Sequence, residues 1–161
     1  MDDDLWHWID HTPLEERVAV GHGVYGAEDF MVQVWGSWDD QIAEADMPTF
    51  VKEALRESGW KRAVPHIVFD LEVGPGKHAG RTENGVIHLV PEHTGRLGRM
   101  LVLHELTHHI APGAGHGPLF CWIFADLVSH QLGADVAVEL LERFDVQGVV
   151  VADRPASDPY D

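Results

Sequence analysis

The chain has 161 residues, with 27 Asp and Glu against 11 Lys and Arg, and a formal charge of −16 when its histidines are neutral. That length is one domain's worth, and a hydrophobic content of 45% supplies a real core, which excludes disordered, collagen-like and repeat architectures for most of the chain. Charge of this sign repels phosphate backbones and anionic lipid, so neither nucleic acid nor a membrane surface is an expected partner.

Thr12-Pro13-Leu14-Glu15 has the form of a capping box with proline at the first helical position and predicts a helix running to Gly21. Ala27, Phe30, Met31 and Val34 recur at helical spacing and predict a second stretch, broken at Trp35-Gly36-Ser37. The next helix has Pro48 near its start, Val51, Ala54 and Leu55 on one face, and Gly59 as a left-handed stop. Residues 66–71, rich in β-branched and aromatic side chains after Pro65, predict a strand. Gly74-Pro75-Gly76 is a loop, and Asn84-Gly85 predicts a tight hairpin turn between strands 79–83 and 86–90.

Residues 97–110 are helical again, with Met100, Leu103, Leu106 and Ile110 as a buried stripe. Pro112-Gly113-Ala114-Gly115 breaks that helix, and 119–132, apolar almost all round, predicts a helix deep in the core that Gly133 closes. Asp135 is the expected N-cap of a last helix through Phe144. Residues 1–152 then form one domain, followed by an acidic tail, 153–161, expected to be disordered.

Cys121 is the single cysteine, which rules out an internal disulfide and a zinc ribbon of paired CxxC motifs, and suits a reducing compartment. Met1-Asp2-Asp3-Asp4 lacks the basic start of a secretory signal, and no run approaches the roughly 18 apolar residues of a membrane span. The expected location is cytoplasmic.

The chemistry is concentrated in His104-Glu105-Leu106-Thr107-His108, an HExxH motif on the helix 97–110. Residues four apart project from one helical face, so both imidazoles can reach a single ion with Glu105 beside them. Zinc suits imidazole nitrogen, and a catalytic site needs a third protein ligand and a position open to water. His116, eight residues beyond His108 and past the glycine-containing break, is the favoured third ligand. Asp126 and Glu139 are the acidic alternatives. The longer pattern HExxHxxGxxH is excluded, because Ala111 and Ala114 stand where its Gly and His would be. In this chemistry Glu105 is the general base, taking a proton from the attacking water and returning it to the leaving amine.

These residues also carry a resemblance. His104-Glu105-Leu106-Thr107-His108-His109 followed by His116-Gly117-Pro118-Leu119-Phe120 is similar to the HExxH…HGxxF pattern of SprT-like and related small zincins. More loosely the chain, including Val24-Tyr25-Gly26-Ala27-Glu28, resembles a group of small, largely uncharacterised bacterial metallohydrolases. The resemblance implies His104, His108 and His116 as zinc ligands and Glu105 as catalytic base, with Gly117 and Phe120 structural. SprT-like proteases acting on DNA-bound protein commonly carry a zinc ribbon and basic surfaces; one cysteine and a charge of −16 do not match that role.

The remaining candidates have plainer readings. His109 lies about 100° around the helix from His108 and is not an expected ligand. His7 and His11 share a helical spacing, but Trp8 stands where a base would be; the Trp6-His7-Trp8 cluster is a candidate docking point for a partner. His88, on a strand, is a candidate oxyanion donor or a solvent-facing residue, and Asp126 with His130 is a candidate pair for orienting a ligand histidine. Cys121 reads as core.

The expected fold is therefore an α+β, zincin-like single domain, a small sheet packed on the HExxH helix with a second buried helix behind it. The expected function is that of a zinc-dependent metallopeptidase acting on a peptide or protein substrate. A zinc-stabilised, non-catalytic binding or scaffold domain is the alternative, and an acidic interaction protein without metal is a third. Substrate and oligomeric state are not encoded in composition.

Overall fold

The computed structural model describes residues 2–35, 41–70, 79–91 and 96–158. Two short helical turns, α1 (Asp2–Trp6) and α2 (Trp8–His11), precede α3 (Leu14–Val34), β1 (Gln41–Ala43), α4 (Met47–Ser58), β2 (His66–Phe69), β3 (Gly80–Glu83), β4 (Val86–Leu89), β5 (Arg96–Gly98), α5 (Arg99–Ile110), α6 (Pro118–Leu132) and α7 (Ala134–Val146). The architecture is α+β, as expected. The Gly74-Pro75-Gly76 loop lies outside the described residues, as do Gly36 and Ser37 of the expected break after α3.

β3 and β4 form an antiparallel hairpin whose turn residues, Asn84 and Gly85, both take positive φ (50° and 78°), the conformation that suits the twist of a two-residue hairpin. β4 pairs on its other side with β2, in parallel, from His66↔Val86 to Phe69↔Leu89. The order β2-β4-β3 leaves β3 at an edge among the described residues. Along β4, Ile87 and Leu89 are buried while Val86 and His88 alternate to the other face, so one side of the sheet packs on the core.

That side meets α5. The HExxH helix contacts β3 and β4 and also α6, which in turn packs against α4 and α7, with α7 against α3. Sequestered between neighbours, α6 buries Leu119, Phe120, Cys121, Ile123, Phe124, Ala125, Leu127 and Val128, which explains why its sequence is apolar almost all round. Each large side chain so buried contributes about 1.5–3 kcal/mol relative to exposure.

Several boundaries differ from the sequence expectation. The two helical stretches around Gly21 are one helix of 21 residues, α3, because its glycines serve close packing rather than termination. A Cβ on Gly23 would lie 2.6 Å from Val149 Cγ2, and one on Gly21 would touch His116 at 3.5 Å. Thr12 does not cap α3; Pro13 occupies the N-cap without a side-chain bond. The strand expected over 66–71 is assigned to Phe69, although the Asp70 amide still bonds the Leu89 carbonyl at 2.8 Å. Leu97 and Gly98 belong to β5, where they pair with Ile42 and Gln41, so α5 starts at Arg99. Gly133, at φ 109°, both ends α6 and caps α7, which leaves Asp135 in the first turn instead of at the N-cap. α1, α2 and the β1–β5 pair had no expectation in the sequence.

From Asp153 to Asp158 the chain has no regular secondary structure. Asp158 is held by Arg62, whose guanidinium donates to both carboxylate oxygens at 2.8 Å and whose Nε donates to the Ile110 carbonyl at 3.0 Å. The two side chains are only 10% and 12% exposed, so removing one costs the other a charged partner where water has little access. Arg62→Ala is expected to lower unfolding free energy by about 1–3 kcal/mol, read as a lower urea midpoint at unchanged slope. Among the described residues no helix is long and apolar enough to cross a membrane.

Candidate metal centre

His104 and His108 leave α5 from one face, a turn apart, and His116 reaches them from the loop between α5 and α6. Its Nε2 lies 3.2 Å from Nε2 of His108 and 3.2 Å from Nε2 of His104. The donor atoms of all three lie within 4.8 Å of one another. Phe120, one turn into α6, forms a common floor, with its ring centroid 4.9, 4.7 and 5.0 Å from those of His104, His108 and His116. Tyr25 of α3 is stacked on His104 at 5.4 Å and edge-on to His116 at 5.0 Å.

The loop carrying His116 is shaped by glycine and by the N-terminal turns. A Cβ on Gly113 would run into the Trp6 carbonyl, one on Gly115 would lie 2.5 Å from Ile9 Cγ2, and one on Gly117 would lie 2.5 Å from the Trp8 indole. Gly115 also has φ 52°, a conformation that favours glycine. Trp6, Trp8 and Ile9 therefore pack on this loop, which places Trp6 and Trp8 of the Trp6-His7-Trp8 cluster against the protein itself and leaves His7 exposed.

Four nitrogens at the zinc bond length of roughly 2.0–2.1 Å would lie about 3.3–3.4 Å apart along the edges of a tetrahedron. The two His116 separations of 3.2 Å match such edges. Nitrogen lone pairs converging at that range repel one another unless a proton or a cation lies between them, and the all-imidazole donor set suits zinc. On the far side of its ring, His104 Nδ1 lies 2.8 Å from Glu28 Oε2, with both side chains buried. Burial alone pushes His104 down, but the Glu28 carboxylate, by charge and hydrogen bond, together with Glu105, outweighs it and raises the imidazole above its usual 6.5. Burial, then His104 and His116, hold His108 well below that value. Tyr25 is pushed up by burial and by the Glu105 and Glu28 carboxylates, which keeps its phenol neutral.

Glu105, 4% exposed, points toward the sheet. The Thr82 hydroxyl lies 2.7 Å from Glu105 Oε2 and 2.9 Å from the Glu105 carbonyl, both within donating range. Gly80 lies alongside, where a Cβ would come within 2.6 Å of Glu105 Cγ. Gly80 pairs with Leu89 and Thr82 with Ile87, so both sit on the α5-facing side of edge strand β3. A cleft of about 500 Å³ opens there, lined by Tyr25, Gly80, Thr82, Glu105, His108 and Pro112 among others. A carboxylate beside three convergent imidazoles at the foot of an edge strand can accept a proton from a water in that cleft.

The other candidates lie elsewhere or are engaged elsewhere. His109 donates its Nε2–H to the Ala63 carbonyl at 2.7 Å. His88 is on the face of β4 opposite Ile87, with its Nδ1 3.3 Å from Asp70 Oδ2, and so faces away from Glu105. Glu139 pairs with Arg143 at 3.2 Å. Asp126 and His130 line a separate cavity of about 700 Å³ with Trp60, Trp122 and Arg154, which shares no residue with the histidine cleft. His7 and His11 are exposed, 3.9 Å from Asp10 and 4.0 Å from Asp4. Cys121 is buried and its thiol is pushed up to about 12 by that burial, which leaves it inert as a nucleophile.

Sequence reasoning assigned no role to Tyr25, Glu28, Gly80 or Thr82. The first two fall in the segment 24–28 already singled out by resemblance, and their spacing of three puts them on one helix face. Nothing in the sequence points to Thr82. No protein-family model, curated protein or solved structure matches this chain.

Proposed function

We propose that the protein is a zinc-dependent metallopeptidase of zincin-like fold, with His104, His108 and His116 as ligands and Glu105 as general base. One observation carries this reading: three convergent imidazole nitrogens, all within 4.8 Å of one another and with both His116 separations at a tetrahedral-edge length, next to a buried carboxylate that borders an open cleft. Bound there, Zn2+ would acidify a coordinated water and polarise a substrate carbonyl. Glu105, steadied by the Thr82 hydroxyl, accepts the proton of the attacking water and later returns it to the leaving nitrogen. Among the described residues β3 is an edge strand, and backbone donors and acceptors along it beside the cleft suit an extended peptide more than a compact small molecule. The resemblance of HExxH…HGxxF to SprT-like zincins supports the same assignment.

The test is metal content together with hydrolysis. Protein purified without chelator is expected to carry one zinc per chain, and His116→Ala to lose it, with at least a 100-fold weaker affinity by competition titration. Chelator is expected to lower the melting temperature of the wild type, because an ion bound only to the folded state stabilises it by mass action. A wild-type chain that binds no divalent ion, and whose melting temperature ignores chelator, overturns the proposal.

A further inference from the structure

Glu28 lies on α3, far in sequence from the HExxH helix, yet its carboxylate is in hydrogen-bond contact with His104 at 2.8 Å. Both groups are buried, with 1% of the His104 side chain and 9% of the Glu28 side chain exposed. A buried carboxylate is costly unless a charge or several donors compensate it, and among the described residues no Lys or Arg pairs with Glu28. A single bond from a neutral imidazole is thin compensation. A proton on that ring supplies the missing charge, and a dication on its opposite nitrogen would supply it in the proton's place.

The bond also decides how His104 presents itself. With Nδ1–H donating to Glu28, a neutral imidazole must carry its lone pair on Nε2, the atom that lies 3.2 Å from His116 Nε2. The ring plane is set from two further sides, since Tyr25 stacks on one face at 5.4 Å and Phe120 abuts it at 4.9 Å. Tyr25 and Glu28, one turn apart on α3, thus hold the same imidazole by its face and by its far nitrogen.

We infer that Glu28 is the positioning residue of this centre: it fixes the tautomer and orientation of His104 and strengthens binding of a divalent cation through that ring. This rests on the metal site proposed above, with Zn2+ as the ligand and α3 as a third structural contributor besides α5 and the His116 loop. Glu28 touches neither substrate nor metal and acts only through His104.

The experiment is a Zn2+ competition titration against a chromophoric chelator for wild type, Glu28→Gln and Glu28→Asp, with Co2+ absorption spectra alongside. Glutamine can still accept from Nδ1–H but carries no charge, so Glu28→Gln is expected to weaken Zn2+ binding about 10–100-fold. Glu28→Asp, which keeps the charge, is expected to recover part of that loss. A second measurement needs no variant: 15N-resolved imidazole spectra of the metal-free wild type should show His104 protonated on Nδ1 whenever it is neutral. Unchanged Zn2+ affinity in Glu28→Gln beside a wild type that binds tightly overturns the role of Glu28 alone. A neutral His104 protonated on Nε2 does the same. A wild type that binds neither Zn2+ nor Co2+ overturns the metal site and this inference with it.

Discussion

Glu105→Gln is expected to reduce peptide hydrolysis by about 10²–10⁴-fold while leaving one zinc per chain and an unchanged or higher melting temperature. The substitution keeps the shape of the side chain and an oxygen that can still accept from Thr82, so the packing around α5 has no reason to move. It removes a charge from a position only 4% exposed, and loss of a buried carboxylate relieves desolvation. What disappears is the proton acceptor. The readings to take are hydrolysis of a generic peptide pool, zinc by mass spectrometry, and thermal melting, all on the same preparation. Loss of hydrolysis together with loss of zinc would make Glu105 a structural support of the centre instead of its base. A wild type that holds zinc but hydrolyses nothing would favour a zinc-stabilised binding domain.

Gly80→Ala should mimic part of that loss without replacing any titratable group. A Cβ at position 80 would come within 2.6 Å of Glu105 Cγ, 2.7 Å of Oε1 and 2.9 Å of Cδ. Real Cβ atoms do not tolerate such distances, so the carboxylate or the strand must shift. Since the backbone of β3 is tied to β4 from Gly80↔Leu89 to Glu83↔Val86, the side chain of Glu105 is the part expected to give. A displacement of about 1 Å at a reacting group can cost roughly 100-fold in rate. The expected outcome is a fall in kcat of that order, with zinc affinity within threefold of wild type. An unaltered kcat would mean that the base does not work from the position it holds beside β3.

Much of the candidate site was legible because the residues it brings together are close in sequence. HExxH declares its geometry through the helical period, and His116 follows within one turn and one loop. The hairpin was legible for the same reason, since Asn84-Gly85 tolerates the positive φ that its turn demands. What could not be read is what joins distant segments. Glu28 and His104 are 76 residues apart, and no periodicity links them. Thr82 and Glu105 meet only because β3 docks on α5. The parallel pairing of β2 with β4 and the three-residue β1–β5 ladder depend on tertiary placement, with too few residues to show a pattern. The glycines of α3 misled for a physical reason: their low helix propensity argues for a break at Gly21, while the close approach of Val149 to Gly23 shows what their missing side chains permit.

The packing of Trp6, Trp8 and Ile9 on residues 113–117 sets an order of events during synthesis. The Trp8 and Ile9 side chains leave the ribosome more than a hundred residues before the surface they cover. Until then the Trp8 indole and the Ile9 side chain lack this native surface, whereas the Trp6 indole already has Trp60 to pack on. The loop that carries His116 therefore reaches its packed form only once both segments have been made, and a nascent chain presents Trp8 and Ile9 well before the histidine cleft is complete.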